Sequence, residues 1–225
     1  RSPSRGLGDV YKRQHMEENM IITISRQYGS GGSQVAKILA ERMGVWCYDR
    51  DILTIAAERI GNEELTEDTI NDLNYKRNDV ASAGITGVMG MGNIPIYNQM
   101  FLEQAKIIRK LANYGSAVFL GRCADYILKD IKNCTSVYLY ADREFRKNRV
   151  KEIYGSNAEI MDKEEKNRAD YYNYYTGNRW GDINNYDFAI NTSKVSFEEA
   201  ADLIYRFAKD KQKNLNCLLY TSPSP

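Results

Sequence analysis

The 225-residue sequence predicts an α/β fold in which a parallel β-sheet is flanked by helices. Five short apolar runs with strand character lie at residues 21–25, 45–48, 117–120, 136–140 and 188–191. Between these runs, apolar residues recur every three or four positions, as they do in amphipathic helices. Strands that alternate with helices form right-handed βαβ units, which bind ligands at the carboxyl ends of their strands. The residues that directly follow each run are therefore the first candidates for function.

Glycines and capping residues mark the predicted helix ends. Apolar residues at helical spacing occupy positions 35–43, and Gly44 provides a natural stop for that helix. The last helix opens with a capping box formed by Ser196 and Glu199, and Asp142 is placed to cap an earlier helix. The remaining predictions are helices over residues 51–60, 63–78 and 101–111, a mobile Gly-rich segment over 81–95, and a polar, tyrosine-rich stretch over 154–185.

Composition and charge exclude several classes of function. The 31 Lys and Arg residues nearly balance the 30 Asp and Glu residues, so we expect neither a nucleic-acid partner nor a membrane partner. The first twenty residues contain no secretory signal, and no apolar run reaches the roughly 18 residues that span a bilayer, so we expect a cytoplasmic protein. A single histidine, His15, leaves no Ser-His-Asp or Cys-His catalysis available to the predicted domain.

The cysteines and the chain ends carry no predicted chemistry. The four cysteines lack the C-x-x-C spacing of metal and redox sites, so we expect free thiols. Residues 1–15 and 217–225 show no periodicity, and most of their letters resemble translated adapter sequence. We therefore expect a non-native or disordered leader over 1–15, one domain over 16–216, and a similar tail over 217–225.

A glycine-rich segment, SRQYGSGGS at residues 25–33, directly follows the first predicted strand. Gly29, Gly31 and Gly32 allow the backbone to approach phosphate oxygens, and the next helix offers free N–H groups at its start. The hydroxyl of Ser33 can ligate Mg²⁺ there. The segment therefore predicts a phosphate-binding loop, although a simple Gly-rich turn between strand and helix has the same composition.

Two positions depart from the G-x-x-x-x-G-K-[ST] pattern of phosphate loops. Arg26 stands in place of the first glycine, and Gly32 stands in place of the lysine. The usual cation on the transferring phosphates is therefore missing from its position. A guanidinium that reaches across the loop can supply the same charge, so we hypothesise that Arg26 replaces the lysine.

The order of several motifs gives a resemblance to a known family. ISRQYGSGGSQVA, YDRDIL, FLGRCADYIL, an arginine-rich helix and NYDFAINTS with a terminal helix together resemble the cytidylate kinase-like family over residues 21–207. The resemblance implies a three-layer P-loop kinase fold, with a five-stranded parallel sheet, a monophosphate-binding insertion and a lid that carries arginines. It also implies transfer of the γ-phosphoryl group of ATP, with Mg²⁺ as cofactor, to a nucleoside monophosphate, for which CMP or dCMP is the first candidate.

The resemblance also assigns roles to individual residues. The ATP phosphates are expected on Gly29, Ser30, Gly31, Gly32 and Ser33, with Ser33 also on the metal. The monophosphate is expected on Asp49, Arg50, Arg122, Arg168 and Tyr172, and Arg26, Arg149 and Arg168 are the catalytic cations. For Asp49 and Arg50 the alternative is a helix cap beside a surface charge, and for Arg122 it is an exposed loop arginine.

Two further groups of residues each allow two interpretations. Arg143, Arg146 and Arg149 form a stripe on one helix face, which is solvated surface in most proteins. The tyrosines at 171, 172, 174 and 175 either stack on a base or form a small core. They stand where related enzymes carry arginines and an aspartate, so a kinase for another small acceptor remains an alternative. The missing loop lysine leaves a nucleotide-binding regulatory module without turnover as a second alternative. The expected partners are ATP and the acceptor, and oligomeric state is left open.

Overall fold

The fold is described from a computed structural model that covers residues 19–49, 52, 54–55, 96–155 and 157–220. Within these residues the strands form one parallel sheet in the order β2-β3-β1-β4-β5. Their bounds are Ile21–Arg26 (β1), Cys47–Tyr48 (β2), Ala117–Leu120 (β3), Cys134–Tyr140 (β4) and Phe188–Asn191 (β5). All five predicted strands are confirmed, with ends shifted by at most two residues.

The helices of the described residues lie between successive strands or after the last one. They are Gly32–Met43 (α1), Ile96–Tyr114 (α2), Ala124–Ile127 (α3), Arg143–Tyr154 (α4), Ala158–Thr176 (α5) and Phe197–Tyr220 (α6), with a 3-10 turn at Ile183–Asn185. Gly44 ends α1 in a left-handed conformation at φ 65°, as predicted. The capping box of α6 is also confirmed, because Ser196 N–H donates to Glu199 at 2.8 Å and Glu199 N–H donates to Ser196 Oγ at 3.1 Å. Helix α6 continues to Tyr220, beyond residue 216, where the domain was predicted to end.

Two predictions differ from the structure, and three fall wholly or mostly outside the described residues. The stretch 154–185 was predicted only as polar and tyrosine-rich, yet it contains the 19-residue helix α5, capped by the Asn157 side chain. Asp142 takes the N-cap position of α4, but its carboxylate binds Lys194 and Asn191 instead of the helix amides. The helix 63–78 and the segment 81–95 lie outside the described residues, as does most of the helix 51–60.

Two apolar cores lie on opposite faces of the sheet, which gives three layers. Side chains alternate along β1, so Ile22 and Ile24 pack towards α1 and α6 while Ile21 packs on the other face. On the first face Leu39 of α1 is fully buried, and on the second Phe119 of β3 is fully buried against α2, α3 and α5. Both faces of β1 are thus covered, as in other parallel sheets.

The centre of the sheet is its topological switch point. Strand β1 pairs with β3 on one side and β4 on the other, so the chain crosses over in opposite directions from this strand. In open α/β sheets the crevice beyond such a strand binds ligands. The loop that leaves β1 at Gln27 and enters α1 at Gly32 lies in this crevice. The fold therefore places the predicted phosphate-binding loop where a ligand is expected.

The described residues include three cysteines, and their helices can be compared with the length of a membrane span. Cys123 and Cys134 are buried free thiols, and burial raises the pKa of Cys134 to about 12. Cys47, at the edge strand β2, is half-buried and forms no disulfide. No helix of the described part of the chain is both long enough and apolar enough to cross a bilayer.

Substitution of Leu39 by Ala tests the packing of α1 on α6. Leu39 is 0% exposed, so Leu39→Ala should lower the free energy of unfolding by about 2–5 kcal/mol through lost burial and a cavity. Leu203→Ala on α6 removes the same atoms from a side chain that is 40% exposed, and should cost about 1 kcal/mol or less. Urea denaturation measures both changes, and equal losses would contradict this packing.

Candidate active site

The loop between β1 and α1 is held in place by hydrogen bonds to neighbouring strands. Gln27 N–H donates to the carbonyl of Leu139 at 2.9 Å, and the Gln27 side chain accepts from Ala141 N–H at 3.1 Å. The buried hydroxyl of Thr192, which directly follows β5, donates to the carbonyl of Ser30 at 2.7 Å. The loop backbone is therefore positioned before any ligand binds, which lowers the entropic cost of binding.

Positions 29 and 31 require glycine because of their backbone conformation and because there is no room for a Cβ atom. Their φ angles are 81° and 82°, in the left-handed region that favours glycine. A Cβ at Gly31 would lie 2.4 Å from the ring of Phe197, and one at Gly29 would lie 2.8 Å from Cγ2 of Val150. The loop thus passes in close contact with α6 and α4, and larger residues at these two positions do not fit.

The start of α1 is open to an anion. Its N-cap residue is Gly31, which has no side chain to accept from the first-turn amides, and the first turn contains no acidic residue. First-turn amides have no acceptor within the helix, and the helix dipole adds positive potential there. The N-termini of α5 and α6, in contrast, are capped by Asn157 and Ser196. Of these three helices, α1 is the one whose amides are offered to a ligand.

A pocket of about 210 Å³ opens at this helix start. Four basic side chains line it, and they are Arg26, Lys37, Arg149 and Arg168. Gly29, Gly31, Gly32 and Ser33 of the predicted loop line it as well, whereas Ser30 is buried behind them. Four of the five predicted ATP-phosphate residues and all three predicted catalytic arginines therefore share one pocket, whereas the side chain of Ser30 does not line it.

Lys37 is a residue of this pocket that sequence reasoning missed. It lies one helical turn after Ser33 on α1, on the same helix face, and its side chain is exposed. Its spacing from Ser33 was a usable signal, because residues four apart on a helix are neighbours. The pocket thus contains a flexible ammonium group in addition to three guanidinium groups.

Helix α5 closes over the loop through two side chains that are one turn apart. Arg168 donates from Nη1 to the carbonyl of Arg26 at 3.0 Å, and its guanidinium lies 5.0 Å from the ring centre of Tyr28. Glu165 accepts the N–H of Tyr28 at 2.7 Å and the indole N–H of Trp180 at 2.8 Å. Glu165 was not predicted, because nothing in a polar stretch distinguishes one carboxylate from its neighbours. The position of α5 is thus coupled to the backbone of the phosphate loop.

The three arginines of the α4 stripe have three different environments. Arg146 is buried and donates to the carbonyls of Tyr28 and Ala141, at 3.3 and 3.2 Å. Arg149 reaches the pocket, lies over the ring of Phe197 at 4.7 Å and donates to Gln34, and partial burial lowers its pKa. Arg143 is exposed and pairs with Asp162. Arg149 is thus the stripe residue that lines the pocket, Arg146 supports the loop, and Arg143 lies on the surface.

The residues predicted to bind the acceptor do not all lie at the pocket. Asp49 follows β2, and its Oδ1 lies 3.7 Å from Nη2 of Arg26, so it adjoins the pocket. Arg50 lies outside the described residues. Arg122 is 1% exposed and has the left-handed φ of 60°, which is uncommon for a residue other than glycine. In this conformation Arg122 is therefore part of the interior, not the exposed loop arginine that the sequence left as an alternative.

Tyr172 belongs to a buried hydrogen-bonded group beneath α5. Its hydroxyl donates to Asp125 at 2.7 Å, and the other oxygen of Asp125 accepts from Ser25 Oγ at 3.3 Å. Burial raises the pKa of Asp125 above its ordinary value, although the hydrogen bond from Tyr172 acts in the opposite direction. In this structure Tyr172 therefore anchors α5 to the carboxyl ends of β1 and β3, and its role at a monophosphate remains a prediction.

The neighbouring tyrosines extend this packing. Tyr175 stacks on Phe101 of α2 with ring centres 4.1 Å apart, and Tyr171 contacts the same two rings. Tyr174 is exposed. Of the two interpretations that the sequence left open, a small core matches the positions of Tyr171, Tyr172 and Tyr175 here.

Ser33 suits a magnesium site that is completed by substrate. Among the described side chains, no group of three His, Cys, Asp or Glu residues is arranged to hold a metal ion. Mg²⁺ commonly uses one or two protein oxygens together with substrate phosphates and water. The hydroxyl of Ser33, exposed in the first turn of α1 on the pocket wall, provides such an oxygen.

Replacement of Gly31 by Ala tests the close passage of the loop. Gly31→Ala adds a methyl group against the ring of Phe197 and strains a φ of 82°, so unfolding free energy should fall by about 3 kcal/mol or more. Gly44→Ala is the matched control, because its φ is 65° with no neighbouring atom within 4 Å, and it should cost only about 1–2 kcal/mol. Equal losses in urea denaturation would show that the contact with α6 is absent.

Removal of one hydroxyl tests the anchor beneath α5. Tyr172→Phe leaves a buried oxygen of Asp125 without its donor, and should lower the free energy of unfolding by about 1–3 kcal/mol. Tyr114→Phe removes a hydroxyl from a side chain that is 76% exposed, and should leave stability nearly unchanged. A Tyr172→Phe protein as stable as the parent in thermal or urea unfolding would contradict this anchor.

Comparison with known proteins places the chain in a family. The model of the cytidylate kinase-like family matches residues 21–194, well over half of the chain. Among solved structures the chain is similar to an uncharacterized protein from Eubacterium ventriosum ATCC 27560, with 30% identity and a TM-score of 0.62 over 84% of this chain and 98% of that one.

Two more distant structures align at lower similarity. One is a gluconokinase from Sinorhizobium meliloti 1021, with 16% identity and a TM-score of 0.49 over 90% of this chain and 96% of that one. The other is a shikimate kinase from Bacteroides thetaiotaomicron, with 13% identity and a TM-score of 0.46 over 89% and 98%. No curated protein sequence matches the chain. From the family match and the observed parallel sheet, we conclude that the chain has a P-loop kinase fold and belongs to the cytidylate kinase-like family.

Proposed function

We propose that this protein transfers the γ-phosphoryl group of ATP to a nucleoside monophosphate, with CMP or dCMP as the first candidate acceptor. One observation supports the proposal above the others. The uncapped start of α1 and the side chains of Arg26, Arg149 and Arg168 converge on one pocket at the switch point of the sheet. Backbone amides and guanidinium groups are the donors that bind polyphosphates and stabilise their developing charge.

The loop supplies the donor side of the proposed reaction. Amides at the start of α1 bind the β- and γ-phosphates of ATP, and the left-handed Gly29 and Gly31 allow the backbone to approach them closely. Mg²⁺, held in part by Ser33, would neutralise charge on the phosphates when bound. Hydrogen bonds from Thr192 and Arg146 keep the loop carbonyls directed away from the ligand.

The transfer step needs positioning more than proton abstraction. An oxygen of the acceptor phosphate attacks the γ-phosphorus in line with the bond to the departing ADP, and it is already a competent nucleophile. Arg149 from α4 and Arg168 from α5 both line the pocket beside the start of α1. Preorganised cations at this position stabilise the charge that develops on the bridging and equatorial oxygens. Because α5 is coupled to the loop through Glu165, its closure also excludes water.

A panel of acceptors tests the proposed substrate class. Purified protein with Mg²⁺ and ATP is offered CMP, dCMP, UMP, AMP and small hydroxylated metabolites, and formation of ADP and phosphorylated acceptor is followed by chromatography. We expect the highest kcat/KM with CMP or dCMP. Turnover of a small metabolite and of no nucleotide would show that the protein is a kinase with a different acceptor. Tight binding of ATP with no turnover of any acceptor would favour a regulatory nucleotide-binding module.

Replacement of Arg168 tests the contribution of α5 to catalysis. Arg168→Ala should lower kcat/KM by about 10²- to 10³-fold, because a preorganised donor to the transferring phosphate is lost. Arg143→Ala, which removes an exposed arginine paired with Asp162, is the matched control and should leave kcat/KM unchanged. Circular dichroism and urea denaturation of both variants establish that they are folded. Near-normal turnover by a folded Arg168→Ala protein would remove this residue from the active site.

A further inference from the structure

The two departures of the loop from the usual pattern are spatially linked. Arg26, in place of the first glycine, and Gly32, in place of the lysine, are six positions apart in the sequence, and their side-chain positions meet in the structure. We propose that they form a reciprocal exchange, in which Arg26 supplies the cation for the transferring phosphate and Gly32 leaves room for it. This inference rests on the proposed kinase function, and it assigns the charge at that same site.

Steric contact shows why position 32 is a glycine. A Cβ at Gly32 would lie 2.6 Å from Cγ of Arg26 and 2.7 Å from its Cβ, well inside van der Waals contact. The Cβ of Arg26 is fixed to the strand backbone, so it cannot move away without a shift of β1. Gly32 has no left-handed φ, in contrast to Gly29 and Gly31, so its backbone conformation does not require glycine. The requirement at position 32 comes from Arg26.

The side chain of Arg26 then continues across the ends of the strands. Arg26 is the last residue of β1 and is 5% exposed, and its Nη2 lies 3.7 Å from Oδ1 of Asp49 after β2. The guanidinium thus lies between the start of α1, where the donor phosphates are expected, and the end of β2, where the acceptor is expected. A phosphoryl group in transfer would pass between these two positions.

A guanidinium is well suited to this position. It is always charged, and its planar fork can donate to two oxygens of one phosphate, whereas a lysine ammonium acts as a point charge. The carboxylate of Asp49 restrains the guanidinium, and the carbonyl of Arg26 is bound by Arg168 of α5. Backbone and side chain of the same residue are therefore fixed from two sides, which is what preorganisation of a catalytic cation requires.

Lys37 is the competing source of charge in the pocket. It lies one turn into α1, is exposed, and has four methylene groups that give it reach and freedom of movement. If Lys37 supplied the missing ammonium, Arg26 would be only a packing residue. The two assignments make opposite predictions for single substitutions, so each needs its own variant.

A double substitution that restores the usual loop gives the direct test. Arg26→Gly with Gly32→Lys converts residues 26–33 into G-Q-Y-G-S-G-K-S, which fits the G-x-x-x-x-G-K-[ST] pattern. Each single variant should lose at least about 100-fold in kcat/KM, one because it lacks the cation and the other because its lysine collides with Arg26. The double variant should recover to within about tenfold of the parent enzyme.

Two further variants separate charge from packing. Arg26→Met keeps most of the stem against Gly32 and removes the charge, so it should unfold at nearly the parental urea midpoint yet lose about as much kcat/KM as Arg26→Gly. Lys37→Ala removes the other candidate cation from the pocket, and its loss of kcat/KM should be at least about tenfold smaller than that of Arg26→Met. The opposite result, with a severe loss for Lys37→Ala and little loss for a folded Arg26→Met, would overturn the assignment of the cation.

Thermal stability tests the steric part without reference to activity. Gly32→Ala should lower the Tm in the parent protein and have little effect in the Arg26→Gly background, where the obstructing stem is gone. An equal loss of Tm in both backgrounds would overturn the proposed exchange.

The proposed function and the exchange can also fail separately. If the parent protein binds Mg·ATP in isothermal titration calorimetry and Arg26→Met turns over normally, only the role of Arg26 is wrong. If the parent protein neither binds Mg·ATP nor turns over any acceptor, the kinase proposal and the cation role fall together.

Discussion

The structure depends on the unsatisfied N–H groups at the start of α1 being held over the carboxyl end of the central strand. Free first-turn amides raise the free energy of the folded protein when they are buried, and an anion that binds them lowers it. Gly31 at the N-cap leaves them open, and the sheet order places them at the switch point between β3 and β4. The pocket, the arginines around it and the proposed phosphoryl transfer all follow from this one arrangement.

The surrounding elements keep that arrangement rigid. Thr192 after β5, Arg146 on α4, and Glu165 and Arg168 on α5 each bind a backbone group between Arg26 and Ser30. Three elements that are distant in sequence thus determine the shape of one five-residue segment. Because α5 holds this segment through both a carboxylate and a guanidinium, movement of α5 and the conformation of the loop are linked. This coupling connects the anchor formed by Tyr172 and Asp125 to the geometry of the pocket.

Local patterns in the sequence predicted much of this structure and missed its long-range contacts. The strands, the stop at Gly44 and the capping box at Ser196 depend on neighbouring residues, so composition and spacing were sufficient. Helix α5 was missed because its sequence has little helical periodicity. Only some of its tyrosines pack in a core, and several of its polar residues contact the loop. The contact between Glu165 and Tyr28 joins residues 137 positions apart, and no local pattern indicates it. The same limit applies to Arg146, which only the fold distinguishes from Arg143.

We propose that these amides bind the phosphates of a nucleoside triphosphate. Backbone amide resonances of the deuterated, ¹⁵N-labelled protein, followed during titration with Mg·ATP, report on each loop residue separately. We expect saturable shifts concentrated at Gly29, Gly31, Gly32 and Ser33, with smaller changes in the last turn of α1 at Arg42 and Met43. Saturable binding that leaves these four amides unshifted, or no binding at millimolar nucleotide, would contradict it.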